Sequence, residues 1–137
     1  MKTLHFSPDA PCPCGQAAPY SRCCGRLHAA FEQSGALTAP DAQALMRSRY
    51  SAFVLDLTDY LRATWHPQTR PDTVAPNEAG LRWLGLEVKR HAVQDDTHAT
   101  VEFVARSKLG GRAYRLHEIS RFERIDGVWL YKDGDLK

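Results

Sequence analysis

All four cysteines of this 137-residue chain lie in one short segment, and this clustering restricts the possible folds more than any other feature. The segment reads C-P-C-G-Q-A-A-P-Y-S-R-C-C, from Cys12 to Cys24. One residue separates the first two cysteines, eight residues follow, and the last two cysteines are adjacent. Because the segment has few large apolar side chains, it cannot form a core of its own and needs another source of stability.

Several kinds of cysteine chemistry compete for this spacing. A disulfide between the adjacent Cys23 and Cys24 would strain the peptide between them, and neither pair has the C-x-x-C spacing of a redox dithiol. An iron–sulfur cluster also takes four thiolates, but adjacent cysteines fit its geometry poorly. Zinc accepts four thiolates in a closed tetrahedral site that is structural in character. The spacing therefore predicts one structural zinc ion with four ligands: Cys12, Cys14, Cys23 and Cys24. A three-thiolate site with one spare cysteine remains as an alternative.

Charge and hydropathy exclude some partners. The net charge is +2, from 18 basic and 16 acidic residues, which is too balanced to make nucleic acid or an anionic membrane the main partner. No run approaches the roughly 18 apolar residues of a transmembrane segment, and the first residues contain no apolar signal region. We therefore expect a cytoplasmic protein. In that compartment the thiols would be kept reduced and free to bind metal.

Helical patterns occupy the first half of the chain. Residues 25–35 have apolar spacing typical of a helix, with Gly35 as the stop. A capping box formed by Thr38 and Asp41 is predicted to start a second helix, whose apolar stripe runs to Leu57 and leaves Arg47 and Arg49 mostly off it. A third helix is predicted from Thr58 to the His66-Pro67 step, because a residue before proline disfavours helix. The stretch 68–80 is predicted as a loop, with a short helix near 77–79 as an alternative.

The second half of the chain alternates in the manner of strands. Four strands are predicted after residue 81, separated by turns at 95–96, 110–111 and 126–127. Helices followed by a strand meander indicate an α+β fold in which helices pack on a four-stranded antiparallel sheet. We expect two units, a zinc element with its docking helix at residues 1–35 and a main domain at residues 36–137.

Two resemblances extend this interpretation. Cys12-Pro13-Cys14-Gly15 followed by Cys23-Cys24 resembles the SEC-C motif, a zinc-binding element of the SecA preprotein translocase, although Gln16 stands where the motif usually has serine. Distinctive blocks along the rest of the chain resemble the YchJ family of bacterial proteins, in this order: Leu45–Phe53, Tyr60–Leu61, Thr64–Pro67, Trp83–Leu86, His117–Phe122 and Trp129–Gly134. The resemblance implies a SEC-C element joined to a cone-shaped domain with a curved sheet, like those of nuclear transport factor two and ketosteroid isomerase. It supplies no activity.

A pocket in such a domain would form on the concave side of the sheet. The candidate pocket residues are Trp65, His66, His117, Glu118, Arg121, Trp129 and Asp133. Alternation along a strand places His117 and Arg121 on one face and Glu118 on the other, so His117 and Glu118 do not form one proton-transfer pair without a bulge. No catalytic residue is assigned. The structural alternative is an ion pair that joins Glu118 to Arg47 or Arg49 across the helix–sheet interface.

Two functions follow from these features. The favoured interpretation is a non-enzymatic protein-interaction module, and the resemblance implies a partner protein in secretion, folding or translation. The alternative is a small-molecule-binding protein or enzyme that uses the pocket of the cone. That alternative requires a closed apolar cavity of about 300 Å³ or more, with at least two polar side chains converging inside it.

Overall fold

The computed structural model describes residues 7–137, so Met1–Phe6, on which much of the signal-region prediction rests, lie outside the described part. After a short 3₁₀ turn at Tyr20–Arg22 come three helices and four strands: α1 (Cys24–Ser34), α2 (Ala42–Val54), α3 (Thr58–Ala63), β1 (Arg82–Asp95), β2 (His98–Leu109), β3 (Arg112–Ile125) and β4 (Val128–Leu136). The predicted order of helices and then strands is confirmed. Among residues 7–137, no helix has both the length and the apolar character that crossing a membrane requires.

The four strands form one antiparallel sheet in the order β1-β2-β3-β4, the predicted meander. β2 and β3 pair in continuous register from His98 opposite Glu123 to Leu109 opposite Arg112. The β1–β2 ladder shifts register at three places, and the β3–β4 ladder shifts once, next to Arg121. Such irregularities bend and twist a strand pair. Helix α2 contacts β1, β2 and β4 and so covers one face of the sheet.

The helix ends follow local chemistry. α1 ends at Gly35, whose φ of 75° is the left-handed conformation that glycine adopts without steric cost. Asp41 is the N-cap of α2, and its carboxylate accepts a hydrogen bond of 2.7 Å from the Ala44 amide. The predicted capping box with Thr38 is therefore wrong, because the short Asp41 side chain directly before the helix reaches the free amide itself. No helix forms in the loop at residues 77–79.

Two hydrophobic clusters hold the fold together. The larger one joins the buried Cys12, Cys14 and Cys24 to helix and sheet residues that include Leu45, Met46, Tyr50, Val101, Phe103, Phe122 and Trp129. The smaller one joins Leu57, Tyr60 and Leu61 to side chains of α1 and α2. The cysteine segment thus shares a core with α2 and the sheet, and its order is tied to the packing of the main domain.

Candidate metal centre and ligand cavity

The four cysteine sulfurs lie together, and one Sγ atom from each residue falls within 4.8 Å of all the others. The Sγ atoms of Cys14 and Cys23 are 3.6 Å apart. Four sulfurs at about 2.3 Å from a tetrahedral zinc ion would be separated by roughly 3.8 Å. All four cysteines are free thiols. The cluster therefore has the donor atoms and the spacing to hold a metal ion.

Electrostatics within the cluster also favour a cation. Hydrogen bonds from Cys14 and Cys24 hold the pKa of Cys12 well below its usual range, and the hydrogen bond to Cys12 raises the pKa of Cys24 far above it. Burial, followed by hydrogen bonding to Cys14, raises the pKa of Cys23 to about 12. Without a cation, the cluster favours the thiolate form of Cys12 and the protonated forms of Cys23 and Cys24. A divalent cation would remove that conflict, because thiolates are its ligands.

Glycines and an arginine shape the segment around the sulfurs. Gly15 has a φ of 89°, and its amide bonds to the Cys12 carbonyl at 3.1 Å, which closes a tight turn between the first two cysteines. A Cβ atom at Gly25 would lie 2.5 Å from the Tyr20 carbonyl oxygen, so only glycine allows this approach. Arg47 of α2 donates from Nη1 to the Cys14 carbonyl oxygen at 2.9 Å. These contacts fix the segment against α2.

His28 lies beside the cluster, but both of its ring nitrogens have protein partners. Nε2 is 2.8 Å from the Ser48 carbonyl oxygen, and Nδ1 is 2.5 Å from the Tyr20 hydroxyl. Because a carbonyl oxygen only accepts, Nε2 carries the proton and Nδ1 accepts from Tyr20. Burial lowers the pKa of this fully buried histidine. His28 therefore joins α1 to α2 as a neutral side chain, and the four thiols remain the metal-ligating set.

A cavity of about 330 Å³ lies between α2 and the sheet. Most of its wall is apolar and comes from α2 and from one face of the strands: Met46, Tyr50, Phe53, Trp83, Phe103, Ala105, Leu116 and Phe122. The loop after α3 contributes Ala75 and Asn77, and Asn77 is anchored by a hydrogen bond of 2.6 Å from its side chain to the Phe53 carbonyl. Polar groups enter the cavity from Arg49, Glu118 and Ser120.

Arg49 is a buried cation on the cavity wall. It donates from Nη1 to the Leu61 carbonyl and to Thr64 Oγ1, both at 2.7 Å. Its Cζ lies 4.9 Å from the ring centre of Trp65 and 4.7 Å from that of Tyr131, in cation–π contact with both. Burial lowers the pKa of Arg49 to about 10, so the side chain stays charged at neutral pH.

Glu118 provides the acidic group of the cavity. Its Oε2 atom accepts a short hydrogen bond from Ser120 Oγ and one of 3.2 Å from Tyr131 Oη. Burial, and then the charge of Glu118, raise the pKa of Tyr131 well above its usual range, so this hydroxyl keeps its proton and donates. No carboxylate of residues 7–137 lies within 4.0 Å of the Arg49 guanidinium, and the alternative ion pair between Glu118 and Arg47 or Arg49 does not form.

Two further donors at the cavity lack acceptors. The indole Nε1 atoms of Trp65 and Trp83 are buried, and neither has a hydrogen-bond partner within residues 7–137. Leaving a buried donor unsatisfied costs about 1–3 kcal/mol. Both tryptophans line the cavity with other atoms of their rings, because the Nε1 atoms themselves are fully buried.

The seven candidate pocket residues have different environments. Trp65 and Glu118 line the cavity, whereas Trp129 is packed in the larger hydrophobic cluster. The other four have polar partners outside the cavity: His66 lies 3.3 Å from a Glu123 oxygen, His117 lies 2.7 Å from a Glu102 oxygen, and Arg121 forms an ion pair with Asp133. The cavity thus brings together two of the seven. Strand alternation explains part of this result, because His117 and Arg121 lie on the sheet face opposite to Glu118.

The cavity also contains residues that were not among the seven. On β3 the lining residues are Leu116, Glu118, Ser120 and Phe122, which is the face predicted for Glu118. On α2 they are Met46, Arg49, Tyr50 and Phe53, at the i, i+3, i+4 and i+7 spacing of one helix face. The helical spacing places Arg49 on the same helix face as Met46, Tyr50 and Phe53. Its charge, in contrast, indicates a position off the apolar stripe.

Comparisons with known proteins agree with this architecture. The family described as "YchJ, middle NTF2-like domain" matches residues 41–134. A UPF0225 protein of Bordetella bronchiseptica is 58% identical over 135 residues, which cover 97% of this chain and 98% of the relative. A UPF0225 protein of Ralstonia nicotianae is 57% identical over 141 residues, which cover 95% of this chain and 94% of the relative.

Two solved structures are also similar. The solution structure of RPA3114, a SEC-C motif containing protein from Rhodopseudomonas palustris, matches with a TM-score of 0.76 and 31% identity over 92% of this chain and 98% of that one. The crystal structure of a SEC-C motif containing protein from Psychrobacter arcticus matches with a TM-score of 0.72 and 28% identity, covering 92% of this chain and 82% of that one. The predicted combination of a SEC-C cysteine cluster with an NTF2-like domain is confirmed, and the chain belongs to the YchJ, or UPF0225, family.

Proposed function

We propose that this protein binds a small, largely apolar organic molecule in the cavity between α2 and the sheet. One observation carries the proposal: an apolar cavity of about 330 Å³ contains a buried Arg49 whose guanidinium has no carboxylate of residues 7–137 within 4.0 Å. The volume is within the usual range of ligand pockets, which combine apolar walls with a few polar groups. The volume and the polar groups of the cavity support a small-molecule site, although the cavity is partly open to solvent and not closed as the sequence-based hypothesis requires.

The polar groups of the cavity support binding more than turnover. Its lining contains no cysteine, histidine or lysine, and Ser120 has no adjacent base other than Glu118, to which it donates. Nucleophilic catalysis needs a nucleophile paired with a base that is itself oriented by a third group. Arg49 and Glu118 provide a donor and an acceptor for orienting a ligand, and we infer a carrier or sensor role.

A cavity-filling substitution tests this proposal. Ala105 is buried on the cavity wall, and Ala105→Leu places three more carbon atoms inside it. The matched control is Ala113→Leu, the same change at an exposed position of β3. Ligand-observed NMR with a library of small aromatic and alicyclic compounds should find binders to the unaltered protein and to the control, and none to Ala105→Leu. Equal binding to all three proteins would place the site elsewhere and refute the proposal.

We further propose that the cysteine cluster holds one structural zinc ion and that residues 1–35 form a zinc element docked on residues 36–137. The burial of Cys12, Cys14 and Cys24 in the larger hydrophobic cluster supports a structural role. Four free thiols also support a reducing, cytoplasmic location. Metal analysis of the purified protein should give one zinc per chain. Cys14→Ser should abolish binding, while retained zinc in Cys23→Ser alone would indicate the three-thiolate site.

A second candidate function is protein interaction through the zinc element. A groove of about 260 Å³ beside Cys23 is lined by three arginines, Arg22, Arg26 and Arg47, with Asp41 as the acidic lining residue. Arg22 and Arg26 are exposed, so the groove suits an acidic segment of a partner in secretion, folding or translation. Glutamate at both positions should abolish the crosslinking of a defined acidic peptide, whereas Arg115→Glu on β3 should not. Equal crosslinking would refute this candidate.

A further inference from the structure

Glu118 presents its two carboxylate oxygens to different surroundings. The hydrogen bonds from Ser120 and Tyr131 both end on Oε2. Oε1 accepts no hydrogen bond from residues 7–137 while the side chain lines the cavity. Glu118 is half-buried, so a bound molecule that displaces water from Oε1 must supply a donor in its place. Oε1 is thus the acceptor that the fold leaves available to a bound molecule.

The donors that hold Oε2 are themselves fixed. Ser120 is buried on β3 and lies opposite Gly134 of β4. The Tyr131 ring packs edge-on against Trp65, with ring centres 5.3 Å apart, and also against Phe122, at 5.7 Å. Arg49 lies over the same ring. Because these neighbours restrict the Tyr131 hydroxyl, the carboxylate of Glu118 is held in one orientation before any ligand arrives.

Gly134 of β4 leaves the space that the Glu118 side chain occupies. A Cβ atom added at Gly134 would lie 2.6 Å from Cδ and 2.8 Å from Cγ of Glu118, closer than real Cβ contacts allow. Gly134 does not have a positive φ, and the Glu118 carboxyl group occupies the space where a side chain at this position would lie. Gly134 therefore acts as a positioning residue for Glu118.

We propose that Glu118 selects the ligand, and that the ligand is an otherwise apolar ring compound that donates a hydroxyl or N–H group to Oε1. This inference rests on the proposed function, since it assumes that the cavity takes a ligand. A charged acceptor in an apolar site favours a ligand that supplies a donor, because an analogue without one removes water from the carboxylate oxygen without replacing its hydrogen bond.

Three probes that share one ring system test the inference: naphthol, methoxynaphthalene and naphthoate, each substituted at the same ring position. The readout is the indole N–H resonances of the full-length ¹⁵N-labelled protein. Trp65 and Trp83 line the cavity, whereas Trp129 does not and serves as an internal control. We expect naphthol to bind at least about tenfold more tightly than methoxynaphthalene, which has the same ring but no donor. Naphthoate should bind more weakly than naphthol, because it brings a second carboxylate close to Glu118.

Two variants separate selection from simple packing. Glu118→Met keeps an unbranched side chain of similar length and should reduce naphthol affinity to that of methoxynaphthalene, whereas Glu87→Met on the exposed β1 surface should leave the tenfold ratio unchanged. Gly134→Ala retains the carboxylate but displaces it, so the ratio should fall severalfold while methoxynaphthalene affinity stays the same. A purely structural role of Gly134 would change both affinities equally, and that result would contradict its positioning role.

The outcomes distinguish the two levels of the proposal. If no probe shifts the Trp65 and Trp83 resonances, the cavity is not a ligand site, and the proposed function fails together with the inference. If the probes bind but naphthol and methoxynaphthalene have equal affinities, the proposed function stands and selection by Glu118 is refuted. Tightest binding by naphthoate would also refute it, since Arg49 would then dominate recognition. The comparison in the unaltered protein remains decisive even if Glu118→Met fails to fold.

Discussion

Arg47 of α2 donates a hydrogen bond of 2.9 Å from Nη1 to the carbonyl oxygen of Cys14, and so ties the cysteine segment to the helix that lines the cavity. Residues that hold a ligand-bearing segment in place affect metal affinity without touching the metal. Met46, the residue before Arg47, lines the cavity itself. The metal centre and the cavity therefore share one structural element, α2.

The first prediction concerns this hydrogen bond. Arg47→Ala should weaken zinc binding by about tenfold, as is usual when a contact that orients a metal ligand is lost. Competition with a chromophoric chelator measures the affinity. The matched control is Arg26→Ala, which removes one positive charge from the same groove at an exposed position. Equal losses in the two variants would show that charge, and not the hydrogen bond, determines the effect.

Gly25→Ala should destabilise the protein, whereas the same substitution at an ordinary helical glycine stabilises it. Replacing glycine by alanine inside a helix usually stabilises a protein by about 0.5–1 kcal/mol. A Cβ atom at Gly25 would overlap the Tyr20 carbonyl oxygen, so we expect Gly25→Ala to lower the free energy of unfolding by about 2 kcal/mol. Urea denaturation measures it. Gln33→Ala, at an exposed position of the same helix, should change stability by less than about 0.5 kcal/mol. A stabilised Gly25→Ala variant would contradict the packing described for the segment.

His28 should make stability depend on pH on the acidic side. Burial lowers the pKa of His28 in the folded protein, whereas in the unfolded chain the pKa keeps its ordinary value of about 6.5. At a pH between these two pKa values, the unfolded chain binds a proton at His28 and the folded chain does not. The contribution of His28 is complete above about pH 6.5 and is lost as the pH falls toward the folded pKa, at up to about 1.4 kcal/mol per pH unit.

Denaturation of the zinc-loaded protein, above the pH at which metal is released, measures this slope. In His28→Gln the contribution should disappear, because glutamine offers a donor and an acceptor but does not titrate. In His98→Gln, where the side chain is 51% exposed, the slope should persist. An unchanged slope in His28→Gln would assign the pH dependence to other groups.

Arg49→Lys should destabilise the protein although the charge is kept. A lysine ammonium lacks the planar fork that reaches the Leu61 carbonyl and Thr64 Oγ1 while stacking on the Trp65 and Tyr131 rings. We expect a loss of about 2–3 kcal/mol in the free energy of unfolding. The control is Arg62→Lys, the same change at an exposed residue with one hydrogen bond to the Asp72 carbonyl, where we expect less than about 1 kcal/mol. Comparable losses would show that the fork and the two rings do not anchor Arg49.

Much of the fold was accessible from local patterns. Helical spacing, turn residues and strand alternation predicted the order of the elements and the common face of Glu118, Ser120 and Phe122. The capping of α2 was misassigned because two candidate side chains, Thr38 and Asp41, precede the helix, and only the geometry of the chain shows which one reaches the Ala44 amide.

The candidate site was less accessible. The helical pattern predicts that Arg49 lies mostly off the apolar stripe of α2, yet Arg49 is buried on the cavity wall. Its charge is accommodated by acceptors and rings from α3, the residues after it and β4, which are distant in sequence. His66 and His117 looked like pocket residues by type, but each has a carboxylate partner elsewhere on the sheet.

The sequence by itself determined the cluster of four cysteines that could hold a metal ion, the family, the order of helices and strands, and the sheet face on which each β3 side chain lies. These properties depend on residue type and spacing along a few neighbouring positions. Only the tertiary structure decided that the face of α2 with Arg49 is turned toward the sheet and that a cavity remains between them. It also decided that Gly134 lies where the Glu118 side chain needs space. Those relationships depend on the rotation of α2 about its axis and on the register shifts of the sheet. Long-range packing sets both, and no local pattern encodes it.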